Sequence, residues 1–208
     1  MMSSAPIASI GDVLTFWFGP EDAVEVVAER QSGLWWGKNP EVDQALHARF
    51  ETTMAAAYGN QLDHWSETPD GLLALILLLD QFPRNCFRNT PQAFAADELA
   101  RQCSHLGLAM GVDQQLPLLQ RLFFYLPLEH SEDLDDQEQV LQLIRQLARD
   151  GCKQHPAAKP AFDRFAEAAR QHHAIISRFG RFPHRNAILG RASSAEETAF
   201  LQEPNSSF

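Results

Sequence analysis

The sequence predicts an all-α fold, a single domain of antiparallel helical hairpins over residues 1–208. Three observations carry this. Prolines sit directly behind capping side chains, apolar residues recur at helical spacing behind those prolines, and no stretch shows sustained strand alternation.

Ile10 to Phe18 reads as a short first helix. Asn39 caps Pro40, and the helix it opens runs to Tyr58 and Gly59 with Val42, Leu46, Phe50 and Met54 on one stripe. Thr68 stands before Pro69 and a helix to Phe82, in which Leu72, Leu73, Leu75, Ile76, Leu77, Leu78 and Leu79 leave no polar face. Such a helix must be buried on all sides. A parallel strand gives the same apolar run, but the capped start and the leucine bias favour a helix. Thr90 precedes Pro91 and a helix to Met110 that carries Phe94, Leu99, Cys103 and Leu106. Shorter helices are expected over Pro117–Tyr125 and about Leu134–Arg149. Asp150 to Lys159, with Gly151 and Pro156, reads as a loop. Pro160 to Phe179 is a further amphipathic helix, with Phe162, Phe165, Ala169, His172 and Ile176 on its stripe and Gly180 at its end. Ser193 with Glu196, or Ser194 with Glu197, makes a capping box for Ala195–Leu201. Residues 1–6 and 203–208 are expected to be loose ends.

Composition excludes several classes. A net charge of -10 opposes a general nucleic-acid or acidic-membrane surface. The most apolar run, Leu72 to Leu79, is far too short to span a bilayer, and Met1 to Ala8 lacks a signal-peptide pattern. Cys86, Cys103 and Cys152 show no C-x-x-C spacing, so no disulfide framework or zinc site is suggested. A cytoplasmic protein with no nucleic-acid or membrane partner is the expectation.

Two segments repeat. Phe82-Pro83-Arg84-Asn85 and Phe182-Pro183-His184-Arg185-Asn186 each follow a long apolar helix and precede a capped one. Proline should end the helix and turn the chain at both. They are either structural corners, with Arg capping carbonyls, or two walls of a shared anion site, since a guanidinium fork suits carboxylate or phosphate. The two roles can coexist. Ala168 to Ser194 contains no acid but holds Arg170, Arg178, Arg181, Arg185 and Arg191 with His172, His173 and His184. Glu129 to Glu138 is the reverse, with six acids and no Lys or Arg. These runs either pair inside the fold or form a cleft. In such a cleft His130, Glu132 and His184 are the candidates for moving a proton, and Arg84, Asn85, Arg181, Arg185 and Asn186 those for holding an anion.

Other chemistry is weaker. His172 and His173 are adjacent and H-E-x-x-H is absent, so no metal is assigned, and His172 reads as a hydrogen-bonded core residue. No G-x-S-x-G, Walker or dinucleotide glycine motif occurs, so no cofactor is assigned. Trp17, Trp35, Trp36, Trp65, Phe123, Phe124 and Tyr125 fit a core, or a stacking platform for a planar ligand.

Four strings resemble one family: Leu14-Thr15-Phe16-Trp17-Phe18-Gly19, Leu78-Leu79-Asp80-Gln81-Phe82-Pro83-Arg84-Asn85, Tyr125-Leu126-Pro127-Leu128-Glu129-His130-Ser131-Glu132 and Arg178-Phe179-Gly180-Arg181-Phe182-Pro183-His184-Arg185-Asn186. They resemble the DUF924 family from about Val13 to Leu201, with Trp35-Trp36 where the family has Trp-Phe. The resemblance implies a TPR-like array of helical hairpins and brings no established activity and no catalytic residues. Two functions follow as expectations. One is binding of, or catalysis on, a small anionic metabolite between the two Phe-Pro segments. The other is a TPR-like module that docks a partner peptide, with the polar groups ion-paired inside the fold and an apolar groove elsewhere. Oligomeric state is not encoded in any feature read above.

Overall fold

Burial of one leucine-rich helix organises the molecule. The computed structural model describes residues 6–204 and 206. Helix α5 (Pro69–Ile76) lies at the centre, with Leu72, Leu73, Ala74 and Ile76 fully buried. Thr68 caps it by accepting the Gly71 amide, as Asn39 caps α4 (Pro40–Tyr58). Helices α1 (Ile10–Phe18), α7 (Asp97–Ala109) and α8 (Leu118–Glu129) pack around α5. On the far side of α8 lies α9 (Leu134–Gln154), and a connection at Pro156–Ala158 folds α10 (Lys159–Phe179) back along it. Short helices α2 (Val24–Arg30) and α3 (Ser32–Trp35) cross the connection from α1 to α4, where the sequence gives no cap signal. Helix α11 (Ala195–Phe200) closes the chain with the Ser194–Glu197 capping box. Among the described residues no strand forms, and no helix is long and apolar enough to cross a membrane.

Several expectations need correction. The helix begun at Pro69 does not end at Phe82-Pro83. A π turn (Leu77–Gln81) widens it, the Phe82 amide reaches the Leu77 carbonyl, and helix α6 (Phe82–Cys86) continues. The wider turn lets the chain carry Pro83, which has no amide hydrogen to give. Only the second segment is a true corner: Phe182 is extended and Pro183–Arg185 form a 3₁₀ turn behind left-handed Gly180. The expected Pro91 helix is split into a 3₁₀ turn (Pro91–Phe94) and α7, and the Thr90 hydroxyl donates to the Phe87 carbonyl instead of capping. Helix α8 runs through Pro127 to Glu129. The loop expected from Asp150 is mostly helix, since Gly151 lies inside α9 against the Phe162 ring. Of the ends expected to be loose, residues 1–5, 205, 207 and 208 lie outside the described residues. Ser206 is buried, and its hydroxyl donates to the Leu201 carbonyl.

Packing supplies an aromatic centre beneath the site. Phe82 meets Phe16, Trp17 and Phe50 at ring separations of 6.2, 5.5 and 5.0 Å. Trp35, Trp65, Phe123, Phe124 and Tyr125 are buried as well, whereas Trp36 is half exposed and stacks on Phe123.

Candidate functional site

The π turn places one acid inside the apolar helix. Asp80 is fully buried, and its two oxygens lie 2.8 and 3.0 Å from His130 Nδ1 at the end of α8. Arg84, one turn further along, contributes its Nη2 at 3.3 Å. Burial opposes the charge on Asp80, but Arg84 and His130 beside it hold the carboxyl well below the usual carboxylate range. An ionised Asp80 fixes the proton on His130 Nδ1, which leaves Nε2 with the lone pair. Burial and the Arg84 charge lower the His130 pKa against the pull of Asp80, so the ring rests neutral.

Beside this pair stands a second one. Glu129 is buried, and its Oε1 lies 3.2 Å from His172 Nδ1, which also meets the Ala168 carbonyl at 2.9 Å. The carbonyl can only accept, so Nδ1 carries the hydrogen. Burial, with the Asp80 charge added, pushes Glu129 up to about 8, and burial, with His130 adding, pushes His172 down to about 3. The two imidazoles stand 6.2 Å apart. The carboxyls of Asp80 and Glu129 are thus driven in opposite directions, one ionised and one protonated at neutral pH.

The two Phe-Pro segments meet at Asp97, the first residue of α7. Arg84 grips it with bonds of 2.8 and 3.1 Å, and Arg185 Nη1 lies 3.3 Å from the same Oδ2. Arg185 Cζ lies over the rings of Phe94 and Phe182, 4.7 and 4.6 Å from their centroids. Its side chain is only 8% exposed, and among the described residues its Nε has no hydrogen-bond partner. Burial and the nearby Arg84 pull Arg185 down to about 10, so it stays cationic. His184 stands 5.7 Å from the Phe182 ring, and burial with the Arg185 charge lowers it to about 4.

The remaining candidates hold the architecture. Glu132 accepts the Phe182 amide at 2.8 Å and pairs with Arg191 at 2.6 and 2.9 Å, which pins the second corner to the end of α8. Arg181 is committed to Glu197 and to the Ala192 carbonyl. Asn186 donates to Ser193 and accepts from Arg191. Asn85 faces the other way, donating to the Leu34 carbonyl and to Asp43, and lines a separate cavity of about 390 Å³ with His47 and Arg88. The geometry therefore brings Arg84, Arg185, His130 and His184 into one cluster and leaves Asn85, Arg181 and Asn186 outside its centre. Asp97 and Glu129 belong to the cluster without having been candidates. Asp80 had a signal, since it is an acid ending an all-round apolar helix and so requires a partner. Asp97 had none, because nothing local distinguishes it from a solvated acid in a helix's first turn.

Comparison with known proteins adds family and fold. The model of DUF924, described as a bacterial protein of unknown function, matches residues 13–205. The solved structure of a protein of unknown function, ATU0120 from Agrobacterium tumefaciens, is similar with a TM-score of 0.76 at 36% identity, covering 93% of this chain and 96% of that one. None of the curated proteins matches.

Proposed function

The chain belongs to the DUF924 family, and we propose that it binds a small anionic molecule where its two Phe-Pro segments meet, with His130 exchanging a proton with that molecule. The observation that carries this reading is the convergence of Arg84 and Arg185, about 100 positions apart, on one carboxylate beside the Asp80–His130 pair. A cationic fork recognises the anion. An imidazole oriented through Nδ1 by a buried carboxylate offers Nε2 as a base. Melting-temperature shifts across a panel of carboxylated and phosphorylated metabolites test it. A ligand at about 100 times its Kd adds about 2.7 kcal/mol to stability. Arg185→Ala should abolish the shift while leaving the circular dichroism spectrum unchanged. An equal shift in the variant, or none across the panel, removes the reading.

A second reading, docking of a partner peptide on a TPR-like hairpin array, is favoured by one observation. A groove of about 400 Å³ between α1, α2 and the start of α8 is lined by Leu14, Phe18, Val24, Val27 and Leu118. That reading predicts that a peptide with apolar anchors protects Leu14 and Leu118 from solvent in hydrogen exchange and that Arg185→Ala has no effect on it.

A further inference from the structure

Asp97 occupies the position an anion would need. Its carboxylate lies against Arg84 through two hydrogen bonds and reaches Arg185 with Oδ2. It is 24% exposed, so its side chain can turn outward to water. Arg185 by contrast is underused. Its Cζ lies over the rings of Phe94 and Phe182, and among the described residues its buried Nε has no hydrogen-bond partner while Nη1 reaches Asp97 at 3.3 Å. The side-on fork of Nε and an Nη suits the paired oxygens of a carboxylate.

Charge narrows the class further. With Asp97 turned away and Glu129 kept protonated by burial, Arg84 and Arg185 face Asp80 as the remaining ionised carboxyl of the cluster, an excess of one positive charge. Glu132 is matched by Arg191, and burial keeps His172 and His184 neutral. A monoanion restores the balance. A phosphate dianion leaves a net negative charge in a poorly solvated place, which is costly.

Resting on the anion-binding reading above, we infer that the molecule bound is a carboxylate and that Asp97 is its internal stand-in, displaced from Arg185 and Arg84 when the ligand's carboxylate arrives. Asp97→Asn keeps the shape and removes the competing charge. Acetate and inorganic phosphate, titrated calorimetrically into the full chain, are the probes. Acetate should bind the variant about tenfold tighter than the wild type or better, a difference of about 1.4 kcal/mol, with phosphate unchanged. Tightening of phosphate instead overturns the carboxylate assignment and leaves the anion site standing. A folded variant that gains for neither anion overturns both. Should Asp97→Asn fail to fold, the wild type decides: acetate bound in preference to phosphate and lost in Arg185→Gln supports the inference, and any other order refutes it.

Discussion

At the scale of single residues, the cluster separates two carboxyls by environment. Asp80 sits against Arg84 and His130 and stays ionised, while Glu129, buried beside a neutral imidazole and within reach of the Asp80 charge, is pushed up to about 8. Its folded value lies above the ordinary 4.5, so across the window from 4.5 to 8 the unfolded chain releases a proton that the folded protein keeps. Stability from this group is therefore complete below pH 4.5 and lost as pH rises toward 8, by at most about 1.4 kcal/mol per pH unit. His172 and His184 act oppositely, costing stability as pH falls below about 6.5, but they do so whether or not Glu129 is present. Glu129→Gln should thus gain on the wild type steadily from pH 5 to pH 8 in urea midpoints. A difference that stays constant over that range would mean Glu129 is ionised in the fold. Of these roles, the core placement of His172 was read from the sequence, and Asp80 left a signal there, as an acid closing an apolar run, without becoming a candidate. The roles of Asp97 and Glu129 were not legible, because each depends on a partner brought in from elsewhere in the chain.

Elements were legible where punctuation is local. Asn39-Pro40, Thr68-Pro69 and the Ser194–Glu197 box each act within four residues, and the helices they open start where the pattern places them. Misreading occurred where a nonlocal or rarer hydrogen-bond pattern competes. Pro83 and Pro127 look like helix stops, yet a π turn carries one and a buried helix tolerates the other. Gly151 looks like loop punctuation, yet its missing side chain is what lets α9 approach α10. A Cβ there would come within 2.4 Å of the buried Phe162 ring, whereas one at Gly11 in α1 finds only Ser9 Oγ at 3.8 Å. Both substitutions by alanine gain helix propensity, up to about 1 kcal/mol. Gly151→Ala should nonetheless lose about 1–3 kcal/mol through overpacking, and Gly11→Ala should lose nothing. Equal melting temperatures for the two variants would show that α9 and α10 do not close on each other as tightly as the Gly151–Phe162 contact requires.

Across the whole molecule, the charge segregation in the sequence foretold a docking of segments. The acid run beginning at Glu129 does meet the acid-free run, through Glu132 on Arg191. What it did not foretell is how little apolar surface joins the last segment to the rest. The main apolar cluster extends from Val13 to Ala169, while Ile175, Ile176 and Phe182, with Phe179 and Phe200 beside them, form a small separate one. The segment after Gly180 is otherwise tied to the body by ion pairs such as Arg178–Glu196 and Arg191–Glu132, whose side chains are all at least a quarter exposed. Salt screens exposed pairs of this kind and leaves a leucine core untouched. Hydrogen exchange should therefore find the amides of residues 183–201 opening well before those of α5 and α8, and the gap should widen between low salt and about 0.5 M, where the Debye length falls to a few ångströms. Uniform protection, or a gap indifferent to salt, would show the segment to be part of one cooperative unit. The expected order matters for binding because Arg185 rides on this segment, its guanidinium held by Phe182 from the same turn and by Phe94 from the body. Each opening would separate Arg185 from Asp97, so the exchange of an internal carboxylate for an external one needs no rearrangement of the central helices.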